Sequence, residues 1–162
     1  MDKREINVKP HNKKWKEKFK HEKNNLEKIF YDILVEIYHI GSTAIPNIKA
    51  KPVIDIMVVV EDINKVDNYN DKMKTLGYEP KGEFGINNRC FFQKGGNNRT
   101  HHVHIFQQGD KEIKRHINFR DYMKAHPEEA HKYSQDINKY NKGKNDFIAE
   151  IDSKAVEWKK NN

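Results

Sequence analysis

Features that would place a chain outside the cytoplasm are missing from this sequence. Cys90 is its one cysteine, so no disulfide can form within the chain. No apolar run approaches the roughly 20 residues that a membrane-spanning helix needs, and the first residues lead into no hydrophobic segment of the signal-peptide kind. We therefore expect a cytoplasmic protein that has no membrane partner.

Apolar residues are also few, at 35% of the chain, while charged residues make up 34%. The apolar residues nevertheless fall in periodic groups, which is typical of a folded chain with a very polar surface. A length of 162 residues is close to the commonest size of one domain and is enough to bury one substantial core. The sequence therefore predicts one domain over residues 1–162.

The formal net charge of +7 invites a nucleic-acid partner, but the basic excess lies largely in residues 1–30. In that segment lysines such as Lys16 and Lys20 are interleaved with Glu17 and Glu22. Such mixing of charges is typical of the solvated face of an amphipathic helix. We therefore do not expect the protein to bind nucleic acid.

Hydrophobic periodicity predicts helices and strands in alternation along the first two thirds of the chain. Apolar residues at helical spacing predict a first helix after Asn12, which is available as its cap, and a second helix over residues 62–76 that Gly77 ends. Strands are predicted over residues 35–40, 52–60, 90–94 and 100–107, and the last two are spaced as an antiparallel hairpin.

The last third of the chain is predicted to be helical. Apolar residues recur at helical spacing in three segments, which run from Ile113 to Tyr122, from Ala130 to Tyr140 and from Phe147 to Trp158. The predicted fold class is therefore α/β (α+β), a mixed β-sheet flanked by helices with a helical C-terminal part.

A turn at Gly41, Ser42 and Thr43 has the residue types that a phosphate group requires. Phosphate oxygens need backbone N–H and hydroxyl donors at close range, which a glycine beside short hydroxyl residues can supply. Asp55 follows on the next predicted strand, where its carboxylate could bind a divalent metal ion. The alternative is structural, because a buried carboxylate can also be neutralised by a nearby basic group.

Two histidines on the last predicted strand could complete a metal site with Asp55. In an extended segment His102 and His104 point to one face, while the residues between and beside them point to the other. Two imidazoles and a carboxylate suit Zn²⁺ or Mn²⁺, whereas Mg²⁺ prefers oxygen ligands. The competing interpretation is a pair of partly exposed histidines whose rings are hydrogen-bonded within the protein.

The runs His39-Ile40-Gly41-Ser42-Thr43-Ala44-Ile45-Pro46 and Ala50-Lys51-Pro52-Val53-Ile54-Asp55-Ile56 resemble the signature of the GrpB family. Segments with similar counterparts continue through His101-His102-Val103-His104 and Phe119-Arg120-Asp121-Tyr122-Met123 to Trp158, so the resemblance spans nearly the whole chain. It implies a nucleotidyltransferase-like fold, and with it a metal-dependent nucleotidyltransferase that uses a nucleoside triphosphate and an unidentified acceptor.

The sequence departs from active nucleotidyltransferases at one position. Those enzymes generally have two acidic residues two positions apart on this strand, and here the second position is Met57. A thioether is a poor ligand for Mg²⁺. The alternative is therefore a non-catalytic accessory module with a protein partner, like the GrpB-like domains that occur fused to dephospho-CoA kinase.

The remaining candidates carry less specific signals. Lys51 and Arg120 could reach a phosphate, although a solvated lysine and an ion pair of Arg120 with Asp121 are common alternatives. His39 could act as a general base near the nucleotide or be a buried strand histidine. Cys90 has no basic neighbour in sequence and is expected to be packed rather than catalytic.

Overall fold

The computed structural model describes residues 9–135 and 151–161. Its centre is a five-stranded mixed sheet in the order β1-β2-β5-β4-β3. The strands are β1 (Leu34–Ile40), β2 (Ile54–Val60), β3 (Tyr78–Pro80), β4 (Arg89–Lys94) and β5 (His101–Gln107). Strands β2 and β5 are parallel, and the other neighbours are antiparallel. The predicted mixed sheet flanked by helices is confirmed.

Helices cover the two faces of this sheet. They are α1 (Lys14–Phe30), α2 (Asn70–Thr75), α3 (Lys111–Ala125) and α4 (Pro127–Gln135), and residues 151–160 are also helical. Short 3₁₀ helices occupy Ser42–Ala44 and Ile63–Tyr69. Within the described residues, none of the helices combines the length and the apolar character needed to cross a bilayer. The predicted segments between residues 136 and 150 lie outside the described residues.

The first helix begins where Asn12 was expected to cap it. The Asn12 Oδ1 atom accepts the backbone N–H of Lys14 at 2.9 Å, and the Asn12 carbonyl accepts that of Trp15. Trp15, Leu26 and Phe30 are buried against the alternate β2 residues that begin at Ile54. This packing places α1 on one face of the sheet, where apolar burial fixes it.

The prediction of one continuous helix over residues 62–76 was wrong. A 3₁₀ helix over Ile63–Tyr69 precedes the short α2, and Gly77, with φ of 102°, ends the segment as expected. The Asp62 side chain accepts the N–H of Asn64. Asp and Asn side chains that bond to the local backbone compete with the α-helical pattern, which explains the tighter first half.

The opposite face of the sheet has a different character at its two ends. Met57 and Phe106 are fully buried there with Ile40, and Ile113 and Ile117 of α3 pack over them. Toward the beginning of β2 and β5 this apolar layer gives way to polar side chains. The apolar layer under α3 therefore leads into a polar end of the sheet, where the side chains of His102 and Asp55 are 24% and 28% exposed, and the candidate site lies at that end.

Candidate functional site

Asp55 is the second residue of β2 and lies between the two neighbouring strands. It pairs with Ile40 at the end of β1 and with His102 near the beginning of β5. Its side chain is 28% exposed, whereas the rest of β2 is buried. The carboxylate therefore stands at the border between the core and solvent, next to the Gly41 turn that follows β1.

The structure brings His102 and His104 to Asp55. The Nδ1 atom of His102 lies 3.4 Å from Asp55 Oδ1, and the Nε2 atom of His104 lies 3.3 Å from the same oxygen. The other oxygen, Oδ2, takes no hydrogen bond from the part of the chain that the structure describes. One carboxylate oxygen is thus held by two imidazoles, and the second is left available.

The histidines also keep Asp55 ionised. Burial alone would raise the pKa of the carboxyl, but the hydrogen bonds of His102 and His104, and their charge when they are protonated, outweigh it and lower the pKa below its ordinary value of 3.8. At neutral pH the partly exposed Asp55 side chain is therefore ionised.

Gly41 permits the turn to approach this carboxylate. Its φ is 73°, in the left-handed region that glycine tolerates and other residues avoid. A Cβ atom at this position would lie 2.7 Å from Asp55 Oδ2. The glycine is therefore required both by the backbone conformation and by the space beside the free oxygen.

The two hydroxyl residues of the turn already have partners within the protein. Ser42 Oγ lies 3.0 Å from the hydroxyl of Tyr133, and Thr43 Oγ1 lies 2.9 Å from Nε2 of His39. Thr43 is only 3% exposed, whereas Ser42 is half-buried. Phosphate binding by these side chains stays a prediction, for which Ser42 has the better access. Nothing in the sequence pointed to Tyr133 as its partner.

His39 is a half-buried ring that carries no charge at neutral pH. Phe19 stacks on it with ring centroids 4.7 Å apart, and burial lowers the pKa of His39 to about 4. The imidazole is therefore uncharged at neutral pH. Its hydrogen bond to Thr43 gives it a clear structural role at the base of the turn.

Arg120 lies close to the same turn. It donates to the carbonyl of His39 at 3.2 Å and forms an ion pair with Asp121 at 2.9 Å. Asp121 is shared with Lys159, also at 2.9 Å. One carboxylate shared by two cations leaves a net positive charge beside the turn. Lys51 is exposed, and its ammonium group contacts no partner within residues 9–135 and 151–161.

Arg89 is a site residue that sequence reasoning missed. It is only 7% exposed, and its Nη1 lies 3.2 Å from Nδ1 of His104. A guanidinium group can only donate, so this nitrogen of His104 must accept. The ring hydrogen of neutral His104 is then on Nε2 and is donated to Asp55. The sequence signal for this role is slight: an arginine at the start of a largely apolar strand.

This arrangement limits which atoms can hold a metal. An imidazole that binds a metal through Nε2 must carry its hydrogen on Nδ1, where His104 faces the Arg89 donor. Among residues 9–135 and 151–161, no group of three His, Cys, Asp or Glu side chains is arranged to hold a metal ion. Metal binding by Asp55, His102 and His104 stays a prediction.

Two ring nitrogens beside the site are buried without a hydrogen-bond partner among the described residues, Nε2 of His102 and Nε2 of His116. The His116 ring lies 5.8 Å from the His104 ring. Burial, aided by the neighbouring positive groups, lowers the pKa of His116 to about 3. His116 therefore adds a neutral ring, not a charge, to the wall between α3 and β5.

Cys90 lies on the other face of the sheet, where it is half-buried against the core that α1 covers. Burial raises the pKa of its thiol to about 11. A thiol with so high a pKa is protonated at neutral pH and is a weak nucleophile. This agrees with the expectation that Cys90 is packed rather than catalytic.

Comparison with known proteins identifies relatives over the whole chain. The family model described as GrpB protein matches residues 5–154. The UPF0157 protein YqkA of Bacillus subtilis is 44% identical over 98% of this chain, which spans only 49% of that relative. The Glutamate-rich protein GrpB of Alkalihalophilus pseudofirmus is 33% identical, with 93% of this chain and 96% of the relative aligned.

A similar fold is known from a solved structure. The crystal structure of conserved protein GrpB from Enterococcus faecalis matches 93% of this chain and 97% of its own, with a TM-score of 0.87 and 37% identity. A structure of the Cid1 poly(U) polymerase bound to MgATP matches 72% of this chain and 39% of its own. Its TM-score of 0.49 and identity of 18% are too low to bear on activity.

Proposed function

The chain belongs to the GrpB family, and we propose that it binds a nucleoside triphosphate together with a divalent metal ion between the Gly41 turn and Asp55. The observation that carries this proposal is the Asp55 carboxylate. It is ionised and partly exposed, two histidines fix one of its oxygens, and the other oxygen is free. An ionised carboxylate oxygen that no protein group uses is the kind of ligand that Mg²⁺ prefers.

The metal would be held by Asp55 Oδ2 and by the phosphate oxygens of the nucleotide. Mg²⁺ is commonly bound in this way, through one or two carboxylates plus substrate phosphates and water. Such an ion neutralises charge on a phosphoryl group. His104 has a different role in this proposal, because its Nε2 hydrogen goes to Asp55 and steadies the carboxylate.

The surroundings of Asp55 suit an anionic ligand. Gly41 lies close against the carboxylate, where a Cβ atom would come within 2.7 Å of Asp55 Oδ2, and the half-buried Ser42 hydroxyl lies on the same turn. Arg120 and the exposed Lys51 add positive charge at the two ends of the connection from β1 to β2. Coulomb attraction from such groups raises the local concentration of an anion even without direct contact.

The reaction we propose is transfer of a nucleotidyl group to an unidentified acceptor. Met57 favours a second candidate, because it is fully buried where a second carboxylate would be expected. In that candidate the domain binds a nucleotide or a protein partner without turnover, as an accessory module. Asp55→Asn separates the two, since it should abolish metal-dependent turnover in an enzyme and leave a protein interaction largely intact.

Titration calorimetry with ATP, CTP, GTP and UTP, each with Mg²⁺ or Mn²⁺, tests the proposal. We expect at least one nucleotide to bind the wild-type protein, and Asp55→Asn to weaken that binding at least about tenfold, since a charged contact is worth about 1.5–3 kcal/mol. Asp67→Asn is the matched control, because Asp67 is exposed on a 3₁₀ helix of the opposite face. Folded protein that binds none of the four would refute the proposal.

A further inference from the structure

Phe84 is an exposed aromatic residue in an unfavourable backbone conformation. It lies in the loop between β3 and β4, the residue is 57% exposed, and its φ is 48°. For a residue with a side chain, the left-handed region costs roughly 1–2 kcal/mol. Exposure and strain together call for a reason, because neither stabilises the fold.

The loop holds this ring in a fixed place. Arg89 donates to the Phe84 carbonyl at 2.7 Å and to the Glu83 carbonyl at 3.1 Å. The Phe84 ring stacks on Phe91 with centroids 5.3 Å apart and an angle of 13° between the planes. One face of Phe84 is therefore covered by Phe91, which leaves the exposure to the other face and the edges.

A continuous row of rings joins Phe84 to Asp55. Phe91 and His104 are paired in the register of β4 and β5, so both side chains are on the same face of the sheet. Their ring centroids are 5.1 Å apart, and His104 contacts Asp55. Arg89, which fixes the His104 ring, is the same residue that holds the Phe84 loop. The exposed ring of Phe84 is thus linked to the Asp55 carboxylate through Phe91, which is buried, and His104, which is partly exposed.

We propose that Phe84 is a stacking platform for the base of a nucleotide whose phosphates lie at Asp55. This inference rests on the function proposed above and adds a base-binding subsite to it. A flat ring with one face supported and the other open is suited to a planar aromatic ligand. Because every base presents a π-face, this contact supplies affinity with little selectivity among the four bases.

The test compares ATP with inorganic tripolyphosphate, each with Mg²⁺, on the full chain. We expect Phe84→Ala to weaken ATP binding roughly 5- to 100-fold, the range found when a stacking ring is removed, and to leave tripolyphosphate binding unchanged. Phe84→Trp should retain ATP affinity. Tyr31→Ala is the matched control, because Tyr31 is 70% exposed just beyond α1 and should affect neither ligand.

Each other outcome overturns the inference in a recognisable way. If Phe84→Ala binds ATP as the wild type does while Asp55→Asn weakens both ligands, the base-binding subsite is wrong and the phosphate site stands. Equal weakening of ATP and tripolyphosphate by Phe84→Ala would mean that the ring supports the site without touching a base. A folded wild-type protein that binds neither ligand would overturn this inference and the proposed function together.

Discussion

Replacement of Gly41 by alanine should perturb the candidate site more than replacement of any comparable glycine. The new methyl group would lie 2.7 Å from Asp55 Oδ2, 3.0 Å from Asp55 Cβ and 3.2 Å from Asp55 Cγ. Contacts below 3.0 Å are not tolerated by real Cβ atoms, so either the turn or the Asp55 side chain must move. A movement of Asp55 would also break its contacts with His102 and His104.

Two costs add up in this variant. The backbone of Gly41, with φ of 73° and ψ of −171°, lies in a region that is essentially restricted to glycine, and it costs alanine roughly 1–2 kcal/mol or more. Displacement of the carboxylate from two imidazole donors adds about 1–3 kcal/mol, because hydrogen bonds to a charged group are stronger than neutral ones. A total of about 2–5 kcal/mol corresponds to a fall in melting temperature of roughly 5–15 °C for a chain of this size.

Gly109→Ala is the control that separates the two costs. Gly109 has φ of 91°, yet nothing lies within 4 Å of a Cβ placed on it, and it follows the far end of β5. Thermal unfolding followed by circular dichroism should show a small loss for Gly109→Ala and a clearly larger loss for Gly41→Ala. Equal losses in the two variants would refute the argument that Gly41 is constrained by Asp55.

Three further predictions concern residues other than Gly41 and Asp55. Glu22→Ala should lower the free energy of unfolding in urea by about 3 kcal/mol, because it leaves the Tyr78 hydroxyl and the Lys94 ammonium without the 2% exposed carboxylate that they contact. Glu17→Ala, on the exposed face of α1, should lower it by under about 1 kcal/mol. In NMR titrations His39 and His116 should take up protons near pH 4 and pH 3. The free energy of unfolding should therefore be unaffected by these rings above about pH 6.5 and should fall below it by up to about 1.4 kcal/mol per pH unit for each ring, because only the unfolded chain is protonated there. Titration of either ring near its ordinary pKa of 6.5 would contradict its burial. Phe84→Gly should be more stable than Phe84→Ala by about 1 kcal/mol in the same urea assay, because glycine relieves the positive φ; the reverse order would remove the argument for backbone strain.

The sequence predicts the long elements of this fold but neither the short strand β3 nor the 3₁₀ helix before α2. Periodicity located α1, the strand that carries Asp55 and the β4–β5 hairpin, because each repeats its apolar pattern several times. The strand Tyr78–Pro80 has three residues, too few to show alternation, and its place at the sheet edge depends on pairing with β4. The 3₁₀ helix at Ile63–Tyr69 and an α-helix have similar apolar spacing, so the pattern alone does not distinguish them.

The sequence identified the residue types that meet around Asp55 but not the contacts between their side chains. Strand alternation correctly put His102 and His104 on one face, yet their meeting with Asp55 depends on the parallel pairing of β2 with β5, which neither segment encodes alone. Arg89 and Phe84 were missed because their roles arise from a loop that folds back on the sheet. Metal binding by His104 stays a prediction, and through Nε2 it would require the ring hydrogen on Nδ1, the nitrogen that faces Arg89.

The single carboxylate of this site is a consequence of how α3 packs, and not of residue 57 alone. Met57 of β2 pairs with His104 of β5, and it is fully buried with Ile40 and Phe106 under Ile113 of α3. A second carboxylate at this position would be removed from water by the helix and, if left without a basic partner, would cost several kcal/mol. The polar end of the sheet therefore begins at Asp55 and continues on β5 through the partly exposed His102 and His104. In the proposed site a ligand at Asp55 would lie toward this end, because Met57 and Phe106 are buried under α3 on the other side.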